Sequence, residues 1–346
     1  MKEINIGGKL INEDKEPFII AEMSGNHNQS LSKALEIVDA AAYAGVDAIK
    51  LQTYTADTIT LKNSFTINDK SSLWNGKNLY ELYNEAHTPW EWHKQIFDYA
   101  ESKGLLSFSS PFDNTSVDFL QSLNVPAFKI ASFENTDHLL IKKLAKTGKP
   151  IIISSGASNL SDIDESIRLL RLNGCNDIIL LKCTSNYPAL PINANINTIP
   201  VIKNLFDVQV GISDHTMGIG VPIAAVALGA RVIEKHLTIK RSEGGVDSAF
   251  SLEPDEFKNL VTEVKAAFYS LGKVSMNIQE SEEKSLFFKR SLYVIKDIKK
   301  GEIFTTEHLN SFRPSLGMPT KYYDSIIGRV SKYDIPCGTP LTLDLI

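Results

Sequence analysis

Phe18-Ile19-Ile20-Ala21-Glu22 is a short apolar run that ends on a carboxylate, and the same design recurs along the chain. Ala48-Ile49 leads into Lys50-Leu51-Gln52, and Leu105-Leu106-Ser107-Phe108 leads into Ser109-Ser110. Ala127-Phe128 leads into Lys129, with Ser132 just beyond, and Ile151-Ile152-Ile153 into Ser154-Ser155. Ile178-Ile179-Leu180-Leu181 runs into Lys182-Cys183-Thr184, and Val208-Gln209-Val210-Gly211-Ile212 into Ser213-Asp214-His215. Val232-Ile233 closes the series with Glu234-Lys235-His236. Apolar strands alternating with helical segments imply parallel strands joined by right-handed crossovers. Eight such strands predict an α/β fold, a (β/α)8 TIM barrel, whose C-terminal strand ends converge on one mouth. The polar residues that close the strands therefore sketch one site.

The helices between these strands have readable ends. Leu31, Ala34, Leu35, Val38, Ala41 and Ala42 follow helical spacing from Asn28 to Ala44, and the pattern stops at Gly45. Asn28 or Ser30 is the expected cap of that helix. Thr88-Pro89-Trp90-Glu91 reads as a Thr N-cap, a Pro at the first helical position and a Glu three residues after the cap. Further helices are expected near 137–147, 161–173 and 254–271, ending at Gly148, Gly174 and Gly272. The stretch from Thr53 to His87 is too long for a plain connection and reads as an ordered insertion over the mouth. Its Trp74, Tyr80 and Tyr83 read as packing residues rather than ligand contacts. The barrel is expected over 1–275, with a polar linker at 276–286. A small, loop-rich, mostly β domain is expected over 287–346.

Composition narrows the function. A net charge of −5 over 346 residues gives no reason to expect nucleic acid or an anionic membrane surface, so an anionic substrate must be met by local charge. The cysteines, Cys175, Cys183 and Cys337, form no C-x-x-C pair, which fits a reducing cytoplasm. Met1-Lys2-Glu3-Ile4-Asn5 has no apolar signal core, and no apolar run approaches a membrane span.

Two groups of residues carry chemistry. His215 and His236 close neighbouring strands, and their imidazoles can share one divalent cation. Asp214 and Glu234 flank them, and Glu22, on the strand that closes the barrel, is expected to face the same cation. The plainer alternative is two ordinary loop histidines. Lys50 and Lys129 close apolar strands, where an unpaired ammonium is costly. They are expected to meet an anion, with hydroxyls of Ser110, Ser132, Ser154 and Ser213 completing a phosphate cradle; the alternative is a salt bridge to a barrel glutamate. Asp247, in Gly244-Gly245-Val246-Asp247-Ser248, faces a sugar hydroxyl or organises the turn.

Taken in order, Ile20-Ala21-Glu22 with Gly25-Asn26-His27, Lys50-Leu51-Gln52, Ser110-Pro111-Phe112 and Phe128-Lys129-Ile130-Ala131-Ser132 form half of a recognisable series. Cys183-Thr184 with Tyr187-Pro188, Ser213-Asp214-His215-Thr216 and Glu234-Lys235-His236 form the rest. Together they resemble the sialic acid synthase family over essentially the whole chain. Lys299-Lys300-Gly301-Glu302 and Arg313-Pro314 resemble that family's antifreeze-like (SAF) domain. Within the family, three stretches resemble the branch that makes pseudaminic acid: Ser24 to Ser30, Leu79 to His93, and Gly244 to Ser251. Ser185 stands where the neuraminate synthases usually carry Asn.

The resemblance implies a transferase that condenses phosphoenolpyruvate with 2,4-diacetamido-2,4,6-trideoxy-L-altrose and water, releasing phosphate. It implies that Lys50, Ser110, Lys129, Ser132, Ser154, Ser185 and Ser213 hold phosphoenolpyruvate, and that Gln52, Tyr187 and Asp247 contact the sugar. His215 and His236 would hold Mn2+, or Mg2+ or Co2+, to polarise the aldehyde, while Glu22 and Glu134 handle water and protons. Arg313 would reach an acetamido group from the partner chain of a domain-swapped homodimer. The nearest alternative is an N-acetylneuraminate or legionaminate synthase using a manno-configured sugar. A synthase for a shorter 2-keto-3-deoxy sugar acid and a non-catalytic carbohydrate- or ice-binding protein are more remote. The appended Arg-Pro domain speaks against the former, and the ring of Lys, Ser and His residues against the latter.

Overall fold

The computed structural model describes residues 2–62, 65–70 and 72–346. The chain divides into two compact units, Met1–Gly272 and Lys273–Ile346. No helix among the described residues is long and apolar enough to cross a membrane.

The first unit opens with an antiparallel hairpin that the apolar-run pattern does not announce, β1 (Ile4–Ile6) and β2 (Lys9–Ile11). Gly7 and Gly8 turn it with φ of 56° and 91°, a conformation that suits glycine in a two-residue hairpin loop. Its Ile4, Ile6 and Ile11 are buried.

The barrel follows as β3 (Phe18–Glu22), β4 (Ala48–Thr53), β5 (Leu106–Pro111), β6 (Phe128–Ile130), β7 (Ile151–Ser154), β8 (Ile178–Cys183), β9 (Gln209–Asp214) and β10 (Val232–His236). The strands close on themselves, with β10 paired in parallel to β3. These are the eight expected strands, and each ends on its expected polar residues. The register sets Glu22 level with Lys50 on one side and His236 on the other. Ile19, Ile49, Ile130, Ile153, Leu180 and Ile233 belong to one continuous buried cluster with the barrel helices. Burying each such side chain is worth about 2 kcal/mol, so the rim can carry polar groups that contribute nothing to packing.

Local signals place the helices well, with one correction. Ser30 caps Leu31–Ala44 through Lys33 N, and Asn28 instead donates to Gly244 O. Thr88 is not an N-cap. The helix Trp90–Ser102 starts one residue later, from Pro89. Thr88 turns its hydroxyl into the core, 3.1 Å from His27 Nε2. Burial pushes the His27 pKa down to about 4, and Gln29 N donates to its Nδ1, so Nε2 is the N–H that occupies the Thr88 oxygen. The insertion after β4 contains the helices Ala56–Ile59 and Leu79–Ala86.

The second unit is built around β11 (Ser291–Val294) and β12 (Leu309–Phe312), an antiparallel pair. Single bridges at Ile298 to Ile335 and Ile303 to Val330 extend it. Leu292, Val294, Ile298, Phe304, Leu309, Ile335 and Leu341 form its own small core.

Candidate active site

Two buried lysines and two buried glutamates occupy the barrel mouth. Lys50 Nζ lies 2.5 Å from Glu22 Oε2 and 3.6 Å from Glu234 Oε1, and donates to Ser110 Oγ at 3.1 Å. Lys129 Nζ lies 3.5 Å from Glu234 Oε1 and donates to Ser154 Oγ at 2.7 Å. Ser213 Oγ donates to the same Glu234 oxygen at 3.1 Å. The salt-bridge alternative is therefore realised for both lysines. Glu234, expected to flank a cation, is instead their shared counter-ion. Residues 234 and 236 share a face of β10, but 234 sits about 7 Å deeper, level with the lysines rather than with the imidazoles. Burial pushes the Glu22 carboxyl above its ordinary range in spite of Lys50. Burial opposes the Glu234 charge as well, but there Lys129 and Lys50 prevail and hold its pKa down.

The two imidazoles stand above this layer. His215 and His236 have ring centroids 5.3 Å apart. His215 Nδ1 is 3.1 Å from Thr184 O, which makes Nδ1 a protonated nitrogen and leaves Nε2 as the ring nitrogen for another partner; burial opposes a charge on this ring, but Cys183 and Thr184 O prevail and hold its pKa above the ordinary value. His236 Nδ1 is buried with no hydrogen-bond partner, and Asp247 Oδ2 lies 3.8 Å away. Burial, reinforced by His215, pushes the His236 pKa well below its ordinary value, so the ring is neutral. Phe250 packs on both imidazoles and on Tyr187.

The neutral His236 and the Nε2 side of His215 fit a divalent cation, which takes the place of any proton on that nitrogen and leaves its other positions to substrate and water. Two expected neighbours do not take part. Asp214 points to the outer face of β9, as strand alternation requires one residue from Ser213, and pairs with Lys235 at 2.7 Å. Glu22, though level with His236, is drawn to Lys50. Among the described residues no group of three His, Cys, Asp or Glu side chains converges as a metal cage.

Hydroxyls gather along the rim after β6 and β8. Ser132 opens the short turn Ser132–Glu134 after β6, and Ser185 follows β8. Between them lies Gly156, a residue to which sequence reasoning gave no role. A Cβ at Gly156 would stand 2.1 Å from Ser185 Oγ and 2.6 Å from Ser132 Oγ. The missing side chain is what lets two hydroxyls meet the loop backbone, and Ser154-Ser155-Gly156-Ala157 was the only signal for it. A polar cavity of about 670 Å³ opens beside Ser155 and Ser185. Glu134 follows at once, with Oε2 buried and unpartnered, and burial pushes its pKa up to about 7.

A third group lies between β3, β4 and β10. Gln52 Nε2 donates to Glu22 Oε1 at 3.2 Å and to Ser24 Oγ at 3.1 Å, and the Ser24 hydroxyl donates to Asp247 Oδ2. Ser24 also went without a role; its φ of 48° aims it at the mouth. Tyr187, ahead of a cis proline, packs 4.5 Å from the His215 ring. Arg313 is an exposed residue of the second unit, just past β12.

A closed parallel barrel with lysines, hydroxyls, carboxylates and paired imidazoles at its C-terminal mouth has the layout of a barrel enzyme's active site. The NeuB family, the sialic acid synthase family the motifs resemble, matches residues 37–276, and the SAF domain matches residues 289–346. The chain belongs to the NeuB family. It is 46% identical to a pseudaminic acid synthase of Campylobacter jejuni over 95% of this chain and 96% of that one. An N,N'-diacetyllegionaminic acid synthase of the same species is 36% identical, over 92% of this chain and 96% of its own. Among solved structures, the N-acetylneuraminic acid synthetase of Leptospira borgpetersenii, in complex with citrate, superimposes with a TM-score of 0.74. It is 32% identical and covers 82% of this chain and 95% of its own.

Proposed function

We propose that this chain is a pseudaminic acid synthase: a transferase that joins phosphoenolpyruvate to 2,4-diacetamido-2,4,6-trideoxy-L-altrose, consumes water and releases phosphate. The observation that carries this reading is the single mouth that sets Lys50, Lys129 and the Ser132–Ser185 hydroxyls beside the neighbouring imidazoles of His215 and His236. The higher identity to the pseudaminate enzyme than to the legionaminate enzyme of one species supports the choice of sugar.

Lys50 and Lys129, with Ser110, Ser132, Ser154, Ser185 and Ser213, hold the phosphate and carboxylate of phosphoenolpyruvate. An arriving anion replaces part of what Glu22 and Glu234 supply to the lysines in the free protein, so its charge is met without exposing either ammonium. Gln52, Tyr187 and Asp247 hold the acceptor with its aldehyde toward His215 and His236. His215 and His236 would hold a divalent cation, Mn2+ or alternatively Mg2+ or Co2+, which would supply Lewis acidity toward the acceptor aldehyde. C3 of phosphoenolpyruvate attacks the aldehyde carbon, and water captures the electron-poor C2. Glu134, ionised about half the time near pH 7, takes the water proton, and with Glu22 returns a proton to the former aldehyde oxygen, which becomes a hydroxyl. Loss of phosphate from the resulting C2 centre leaves the 2-keto acid.

The cysteines are free thiols, which supports a cytoplasmic setting. Arg313 of a partner chain completes the acetamido pocket in a domain-swapped homodimer.

The test is phosphate release from phosphoenolpyruvate with Mn2+, offering the L-altrose sugar, N-acetylmannosamine and the 2,4-diacetamido mannose analogue in parallel. Release with the altrose sugar alone is expected. Release with a manno sugar instead would move the specificity to a neuraminate or legionaminate synthase, and silence with all three would overturn the activity.

A further inference from the structure

The insertion after β4 places one aromatic residue against both walls of the acceptor side of the mouth. Trp74 Nε1 donates to Val246 O at 3.1 Å, across 172 positions of sequence. The same indole packs on Tyr187, with centroids 5.9 Å apart. Val246 immediately precedes Asp247, whose carboxylate receives the Ser24 hydroxyl, and Tyr187 lies against His215. One side chain thus touches the backbone that carries one proposed sugar contact and the ring of another.

That backbone needs an anchor. Gly244 and Gly245 precede Val246 with φ of 75° and 137°, so the loop enters Asp247 through two residues with wide conformational freedom. Asn28 holds it at Gly244 O, Trp74 holds it at Val246 O, and Ser251 Oγ donates to Asp247 O. Only the Trp74 anchor comes from the insertion. The insertion is itself tied to the barrel rim, where Tyr83 packs on Tyr54 and Tyr54 on Phe112. None of these contacts reaches Lys50, Lys129 or the hydroxyls of Ser110, Ser132, Ser154 and Ser213; Tyr187 meets the phosphoenolpyruvate side only through its hydrogen bond with Ser185.

We propose that Trp74 is a positioning residue for the acceptor sugar, fixing Tyr187 and the Asp247 loop in one geometry while leaving phosphoenolpyruvate binding untouched. The inference rests on the assignment of Tyr187 and Asp247 to the acceptor. Packing alone would make Trp74 a residue whose loss lowers stability and disturbs both substrates together. A positioning role instead separates the two KM values.

The experiment compares full-length wild type, Trp74→Phe and Trp74→Ala with Mn2+, each substrate being varied at saturation of the other. Trp74→Phe keeps a ring on Tyr187 and loses the N–H donor, whereas Trp74→Ala loses both. The expected result is a sugar KM raised tenfold or more in Trp74→Ala and by a smaller factor in Trp74→Phe, with the phosphoenolpyruvate KM within twofold of wild type. A sugar KM unchanged in both variants overturns the proposal, as does a parallel rise in both KM values. If Trp74→Ala does not fold, Trp74→Phe decides the matter by the same ratio. Should wild type turn over a manno sugar rather than the altrose sugar, the functional reading fails, yet the KM ratio measured with that sugar still tests Trp74.

Discussion

Lys50 Nζ lies 2.5 Å from Glu22 Oε2, and both side chains are almost completely buried at the barrel mouth. A buried ion pair of this kind is costly to break from one side, because the remaining charge is left uncompensated; the loss is about 3 kcal/mol or more. Lys50→Met is therefore expected to lower stability by that order, and Lys50→Met combined with Glu22→Gln to recover most of it. Denaturant unfolding reads the difference. The phosphoenolpyruvate KM should rise roughly 100-fold in both variants, since removing a charged hydrogen-bond partner costs about 2–3 kcal/mol. A double variant that regained the KM as well as the stability would remove Lys50 from the anion site.

His236 Nδ1 is a buried atom without a partner, beside a His215 ring whose tautomer is set by Thr184 O. His236→Ala and His215→Ala should each abolish stoichiometric Mn2+ binding, read by metal analysis after dialysis, and lower turnover by about three orders of magnitude. Chelation of wild type should do the same reversibly. Full turnover in His236→Ala would refute the metal assignment.

Gly156→Ala isolates the hydroxyl cradle. The added methyl would meet Ser185 Oγ and Ser132 Oγ, the ends of short side chains that can rotate away. Stability should change by less than about 1 kcal/mol. The phosphoenolpyruvate KM should rise roughly tenfold, the equivalent of about 1.4 kcal/mol, while the sugar KM stays constant.

Glu134 carries a pH signature. Its folded pKa is raised from 4.5 to about 7, with burial as the main cause. Between these values the folded protein holds more protons than the unfolded chain, so this group's contribution makes stability fall as pH rises from 4.5 to 7. The full effect, reached above pH 7, is about 3 kcal/mol. Glu134→Gln should match the wild-type Tm near pH 4.5 and exceed it by several degrees at pH 8. Its turnover should fall by two orders of magnitude or more, and the limb of the pH profile near 7 should vanish. An unchanged limb would assign that proton to another group.

The proposed homodimer makes Arg313 testable in mixed dimers. Lys129→Ala and Arg313→Ala homodimers should each be nearly inactive. Mixed after reversible dissociation, they should regain about a quarter of wild-type turnover, because one intact barrel meets one intact Arg313 from its partner in half of the assemblies. No recovery would place Arg313 outside the partner's site.

Much of this was legible in the chain. Glu22, Lys50, Lys129, His215 and His236 announced themselves because each closes a short apolar run, and a parallel barrel carries every strand end to the same mouth. Helix ends at Gly45, Gly148 and Gly174 were equally plain. Thr88 misled because its capping signal is local, while the partner that outbid it, His27, comes from another part of the chain. The β1–β2 hairpin escaped notice because three-residue strands are too short to show a period.

The residue types and their order were thus enough to determine the eight strands, the helices between them and most of the polar residues that close the strands at the mouth, since periodicity and strand termini are properties of neighbouring residues. Pairing was decided only in three dimensions. That Glu234 serves the lysines follows from depth along the closed barrel, and that Asp214 meets Lys235 follows from the register of β9 against β10. That Trp74 reaches Val246 follows from the path of a long insertion. Contacts of this kind join residues far apart in sequence, and only the register and closure of the fold bring them within a few ångströms.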